Sequence, residues 1–263
     1  MVNTERRKKI LDILETCGKI STVELGERLG VTGATVRSDI RDLERAGALV
    51  RYHGGVALPN ASQAPSDFNY MVRSVSEVKL KTAIGRIAGG MVSDGDTIFM
   101  DASSTTFHMI KFMKDRSDVT VITNGLHTAM ELQSLNSFKS VLVLGGTLRP
   151  HSGAIEGMSS REMIKRLSGK FYFVSGNGFS AETGLSGNNF YEIELKKLCA
   201  ERSKHIVALV DSTKIGRDSS SGFIPTSRIG TLITDSGVLD DPVKRDVVDK
   251  CRKAGVEVMI AEV

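Results

Sequence analysis

Two helix-start signatures with a glycine between them confine the opening of this chain to a pair of short helices. They lie in the stretch 20–55, ISTVELGERLGVTGATVRSDIRDLERAGALVRYHGG. Ser21 followed three residues later by Glu24 is a capping box, in which each side chain satisfies a backbone N–H that the first helical turn leaves open. A helix is therefore expected from about Thr22. Leu25 and Leu29 share a face, Gly30 ends the run and Val31 follows as an apolar anchor. Thr32 can cap a second helix, in which Val36, Ile40 and Leu43 recur at the spacing of a buried face while Thr35, Arg37, Ser38, Arg41 and Arg45 lie off it. Gly47 supplies the stop, and 49–58 reads as two short strands around His53-Gly54-Gly55, a wing carrying Arg51 and His53.

Helix, turn, helix and wing suit the major groove of DNA, where helix N-termini and guanidinium groups meet phosphates and Thr, Ser or Arg side chains reach base edges. The candidate contacts are Ser21, Thr22, Thr32, Thr35, Arg37, Ser38, Arg41, Arg51 and His53. On pattern alone an arginine stripe is equally a solvated helix face. The segment Arg6 to Gly55, with GVTGATVRSDIRDLERAG and then RYHGG, closely resembles the N-terminal winged helix-turn-helix of DeoR-type bacterial transcription regulators. That resemblance implies a double-stranded DNA operator as partner. One departure is Ser38, since the family usually carries a second arginine beside the one at Arg37; its absence implies an altered operator preference.

Bulk properties exclude little. At 263 residues, with 40% hydrophobic and 25% charged side chains, the chain is long enough for one small and one larger domain, each with a core. The net charge of +4 permits a polyanionic partner without demanding one. Residues 1–58 hold ten Lys/Arg against eight Asp/Glu, so +2 of that charge lies there and +2 in the rest. Local placement speaks more clearly, with RRKK at 6–9 and three arginines on one helix. Cys17, Cys199 and Cys251 lack CxxC spacing, which disfavours a disulfide framework or a metal site. Charges within the first ten residues, and no apolar stretch of signal or membrane length, predict a cytoplasmic protein with no membrane partner.

Residues 4–17 are expected to form a first helix, with Ile10, Leu11 and Leu14 inward and Gly18 closing it. The stretch 59–67, PNASQAPSD, reads as a linker. This predicts a DNA-binding domain over 1–58, a linker over 59–75 and a second domain over 76–263. In the second, a helix capped by Ser76 should run to about Met91, followed by alternating elements. Strands are expected at 96–101, 119–123, 141–144, 171–175, 206–210, 232–234 and 256–260. Helices are expected at 104–113, 126–135, 160–167 and from Pro242, with Val243, Val247 and Cys251 on one face. Such alternation implies an α/β fold with a mostly parallel sheet.

In open α/β sheets ligands bind beyond the carboxyl ends of strands. Several ends are small or polar there: 101–106, 123–125, 145–149, 175–178 and 211–214. Ser103, Ser104 and Thr105 could surround a phosphate, although a Ser/Thr cluster taken alone more often caps a helix. Gly145-Gly146 allows close backbone approach, and Arg149 could grip an anion or stand in solvent. Glu194 and Lys196 are two apart on an expected helix and so point in different directions. Lys214 could neutralise a phosphate while Asp211 accepts hydrogen bonds from hydroxyls.

The segments DGDTIFMDASSTT, VITNG, LGGTLR, the ELKK around Glu194, and DSTKIG resemble, in order, the C-terminal sensor domain of the same DeoR family. The resemblance implies a ribose-5-phosphate-isomerase-like fold that binds phosphorylated sugars or related metabolites. It makes Asp101, Ser104, Thr105, Thr123, Asn124, Gly145, Gly146, Arg149, Glu194, Lys196, Asp211 and Lys214 the effector candidates. Ser103 stands where the family commonly has glycine; its added Cβ and hydroxyl would narrow the anion loop or read a different substituent.

The expectation is therefore a regulator, a repressor of a carbohydrate-utilisation operon acting as a homo-oligomer, without catalytic residues or cofactor. Two alternatives come from other classes. A sugar-phosphate isomerase needs a carboxylate and a cation, which Asp101, Glu194, Lys196 and Lys214 could supply. An architectural DNA-binding protein would use the second domain only to oligomerise.

Overall fold

The computed structural model describes residues 3–17, 19–52, 55–58, 70–135 and 138–263. Gly18, His53, Gly54 and the predicted linker segment 59–67 lie outside them. The chain divides into two compact units, Met1–Val78 and Lys79–Val263.

The first unit contains α1 (Asn3–Cys17), β1 (Lys19–Ser21), α2 (Thr22–Leu29), α3 (Gly33–Arg45), β2 (Val50–Tyr52), β3 (Gly55–Ala57) and α4 (Tyr70–Val75). Ser21 caps α2 by accepting from the Glu24 N–H at 3.1 Å, while the Glu24 carboxylate turns to Arg28 at 2.7 Å. Gly30 ends α2 in the left-handed region at φ 63°, a conformation open to glycine at little steric cost. Thr32 then caps α3. Ile10, Leu14, Leu25, Val36, Ile40, Leu43, Leu49 and Val56 close over one core. The wing is a three-stranded antiparallel sheet in the order β1-β3-β2, and β1 was not expected.

Residues 70–75, assigned to the linker by sequence, form α4, which packs against α1. Ser76 lies two residues before the next helix. Its hydroxyl donates to the Arg73 carbonyl at 3.2 Å, and Glu77 turns the chain at φ 48°, so α5 (Val78–Gly90) begins separately.

Past α5 come β4 (Thr97–Met100), α6 (Ser104–Phe107), β5 (Thr120–Thr123), α7 (Leu126–Ser134), β6 (Ser140–Val143), β7 (Thr147–Leu148), β8 (Ile155–Glu156), α8 (Met158–Ile164) and β9 (Gly169–Val174). They are followed by β10 (Gly178–Ser180), β11 (Gly184–Gly187), α9 (Phe190–Glu201), β12 (Ser203–Leu209), β13 (Ser221–Ile224), β14 (Thr231–Asp235), α10 (Pro242–Lys253) and β15 (Glu257–Ala261). Seven strands form one sheet in the order β15-β14-β12-β9-β4-β5-β6, and every adjacent pair is parallel.

Side chains alternate across this sheet. Tyr172 and Val174 enter one core with Leu195, Cys199 and Val247. Phe173 enters the other with Ile84, Ala88 and Leu132. Helices thus cover both faces, as a parallel sheet requires.

The expected helix 104–113 is shorter. After the single turn of α6 the chain continues through i to i−3 bonds, such as Met109 N–H to the Thr106 carbonyl, into a 3-10 turn at Ile110–Phe112. A Cβ on Gly85 would stand 2.7 Å from the His108 carbonyl, so α5 rests directly on this segment. The antiparallel sheet β10-β11-β13 was missed, because its small, weakly alternating residues carry little strand signal.

Candidate functional site

In the first unit the outer face of α3 carries the expected interface. Thr32 accepts from the Thr35 N–H at 3.4 Å, and their hydroxyls lie 3.0 Å apart. Arg37, Ser38 and Arg41 are exposed on α3. A shallow groove of about 510 Å³ runs along the helix-turn-helix, bordered by Thr22, Gly30, Thr32, Gly33 and Arg37. The N-terminal residues of α2 and α3 both face it.

Several other arginines are engaged within the unit. Arg51 is tethered to Glu44 at 2.8 Å, joining the wing to α3. Arg6 grips Asp39 through Nε and Nη2, and Arg7 reaches both Asp39 and Asp42. Half of the RRKK run is therefore internal. Arg45 stands 3.8 Å from Asp42.

In the second unit the site grows from three adjacent strand ends. Asp101 follows β4, Ser175 follows β9 and Asp211 follows β12, with β9 in the middle. Asp101 is buried. Its Oδ1 accepts from the Ser103 N–H at 3.0 Å and lies 2.9 Å from the Thr106 hydroxyl, while its Oδ2 accepts from the Ser175 N–H at 3.0 Å. Lys196, buried on α9, donates to the Ser175 carbonyl at 2.7 Å and pairs with Asp101 at 3.0 Å and Glu192 at 2.9 Å. Burial opposes the Lys196 charge, but Glu192 and Asp101 outweigh it and hold its pKa above the ordinary value. Glu192 in turn meets Arg149 at 3.1 Å, so charge alternates along Asp101, Lys196, Glu192 and Arg149.

Glu156 borders this chain of charges. Burial raises its pKa and Glu192 adds to the effect, against the pull of Arg149. At the neighbouring strand end Asp211 pairs with Lys214 at 3.1 Å and accepts from the Thr213 hydroxyl. Burial works against ionised Asp211, yet Lys214, Thr213 and the nearby Lys81 prevail and hold its pKa low. The Thr105 and Ser175 hydroxyl oxygens and Glu156 Oε2 are buried with no hydrogen-bond partner among the described residues.

Of the residues expected from sequence, Asp101, Arg149 and Lys196 share one network, and Asp211 with Lys214 forms a second. Ser103 caps α6 by accepting from the Thr106 N–H at 3.1 Å, which is the plainer of its two readings. Ser104 and Thr105 are buried in that turn. Thr123 accepts from the Gly125 N–H at 3.0 Å, and the Asn124 amide donates to the Ile155 carbonyl at 3.2 Å, so both fasten the chain locally.

Gly145 and Gly146 serve the fold in the same way. The Gly145 carbonyl accepts from the Ser160 hydroxyl at 2.5 Å, and a Cβ on Gly146 would stand 2.4 Å from the Glu156 carbonyl. Glu194 pairs with Lys197 at 3.0 Å and takes no part in the Asp101 network. Sequence reasoning missed Glu192, although its i, i+4 spacing from Lys196 was a usable signal. Thr106 and Ser175 lay in the strand ends singled out from sequence but were not among the candidates, and Glu156 and the buried Lys81 were missed; a lysine within an amphipathic helix gives no sign of burial.

Comparison with known proteins fits this architecture. The DeoR C-terminal sensor domain matches residues 76–236, and the DeoR-like helix-turn-helix domain matches residues 6–62. The HTH-type transcriptional regulator GolR of Listeria innocua is 36% identical over 98% of both chains. The glycerol-3-phosphate regulon repressor of Escherichia coli is 27% identical over 90% of this chain and 92% of its own. Among solved structures, ribose 5-phosphate isomerase A from Neisseria gonorrhoeae aligns over 53% of this chain and 54% of its own, with 13% identity and a TM-score of 0.40. With both of its units matched in order, the chain belongs to the DeoR family and is a DNA-binding transcriptional regulator.

Proposed function

We propose that this regulator represses a carbohydrate-utilisation operon and that a phosphorylated sugar or related metabolite, bound at the strand ends of the second unit, controls it. The observation that carries the reading is the pair of buried, unpartnered hydroxyls on Thr105 and Ser175 beside the Asp101–Lys196–Glu192–Arg149 network. Buried polar atoms are rarely left unsatisfied in a finished structure, and a polyhydroxylated ligand supplies the donors and acceptors they lack. Lys214 and Lys81 around Asp211 offer positive charge for its phosphate. A relative named as a glycerol-3-phosphate regulon repressor supports this ligand class.

The effector set is thus Asp101, Thr105, Ser175, Arg149, Glu192, Asp211 and Lys214, with Lys196 holding the network together. The DNA set is Thr32, Thr35, Arg37, Ser38 and Arg41. The active species is a cytoplasmic homo-oligomer whose paired winged helices meet operator half-sites; among the described residues no helix is long and apolar enough to cross a membrane. The DNA-binding domain takes in α4 as well as 1–58, and the sensor domain follows it.

The second unit acts as a receptor and not as an isomerase, a reading supported by relatives that are themselves regulators. A panel of sugar phosphates read by thermal shift and by operator release tests it. One ligand class should raise the unfolding temperature saturably and change operator occupancy over the same concentration range. Turnover of a sugar phosphate by the pure protein, or stabilisation by none, would overturn it.

A further inference from the structure

Helix α3 is held to its core by Val36, Ile40 and Leu43. Burial of this kind is non-directional, so a narrow apolar stripe resists removal of the helix more strongly than rotation about its axis. A second set of contacts fixes that rotation. Asp39, 1% exposed, receives Nε and Nη2 of Arg6 and Nε of Arg7, and the same Arg7 extends Nη2 to Asp42 one turn on. All four residues belong to the first unit, two on α1 and two on α3.

At 100° per residue, Asp39 and Asp42 stand roughly 60° and 120° to one side of Val36, and Arg37 and Arg41 roughly 100° and 140° to the other. A guanidinium fork is planar and directional, so the forks pull on one flank of α3 and thereby aim the other. A rotation of about 20° would carry a side-chain tip on this helix through about 2 Å, enough to lose a hydrogen bond to a base edge. The side chains of Arg6 and Arg7 are only 13% and 17% exposed.

We propose that Arg6, Arg7, Asp39 and Asp42 are positioning residues that set the rotation of the recognition helix, and that Arg6 and Arg7 govern operator discrimination without neutralising phosphates themselves. The proposal rests on α3 reading DNA and is independent of the effector.

The test uses the full chain, an operator obtained by selection from random duplexes, and a duplex of unrelated sequence, each titrated over a range of salt. Asp39→Asn and Arg7→Gln are compared with Arg41→Ala. Asp39→Asn should lower operator affinity about tenfold and leave affinity for unrelated DNA, and the slope of log K against log salt, unchanged. Arg7→Gln, which keeps the Arg6–Asp39 pair, should do the same to a smaller degree; it stands in if Asp39→Asn melts below the assay temperature. Arg41→Ala should weaken binding to both duplexes and reduce the slope by about 0.9. A slope reduced by that amount in Arg7→Gln would show direct phosphate contact and overturn the proposal. Unchanged discrimination in folded Arg7→Gln and Asp39→Asn would overturn it too. Failure of the wild-type chain to select any operator would instead count against DNA reading itself.

Discussion

Lys196 has three ammonium protons and three acceptors around it, from Asp101, Ser175 and Glu192. An arriving anion finds no free proton there, so the lysine acts as the pin that holds two carboxylates and a strand end together. Replacing it by methionine strips Asp101 of its cation and leaves Glu192 with Arg149 alone. Chemical denaturation of Lys196→Met should show a loss of about 3–5 kcal/mol, the range for stripping one partner from a buried ion pair.

Glu156 gives the opposite sign. Its pKa is raised in the folded protein, so any stability linked to its proton is fully present below the unfolded value and is lost as pH rises through the folded one. Glu156→Gln should therefore raise the unfolding temperature at neutral pH, and the gain should vanish as pH falls into the ordinary carboxylate range. A thermal scan against pH checks this. Asp101 and Lys196 were legible because they sit in motifs with a recognisable neighbourhood. Glu192 was not, since the choice between it and Glu194 depends on which way a helix faces, a tertiary matter.

At the scale of elements, local signals were read well and crowding was not. Ser21, Gly30 and Thr32 carry their instructions within a turn of sequence, and the helices they bound begin and end where the chemistry places them. The start of α5 and the brevity of α6 depend on neighbours distant in sequence. Two glycines make the contrast measurable. Around Gly30 an added Cβ meets nothing within 4 Å, so Gly30→Ala pays only for its left-handed backbone, about 1–2 kcal/mol. At Gly85 alanine is the better helix former, yet its Cβ would press on the His108 backbone at 2.7 Å. Overpacking of this kind costs about 1–3 kcal/mol or more. Urea titration of the two single variants should rank Gly85→Ala as the more damaging, because the atoms its Cβ meets are backbone of the 108–109 segment.

For the whole molecule, two units matched to two family domains imply separable losses. Arg41→Ala should weaken operator binding and leave ligand-induced thermal stabilisation intact, whereas Lys214→Ala should do the reverse. Paired binding and thermal-shift measurements on both variants make that comparison. The parallel α/β architecture was legible in the alternation of apolar runs, while the RRKK run misled, because Arg6 and Arg7 turn inward to Asp39 and Asp42. The order of the strands has a dimensional result as well. Asp101 and Asp211 close strands separated by a single intervening strand, so they stand about two strand spacings apart, roughly 10 Å. Hydrogen bonding within the sheet sets that interval, and loop changes at the rim leave it alone. The sheet therefore works as a ruler: a molecule that reaches both strand ends must be long enough to span it.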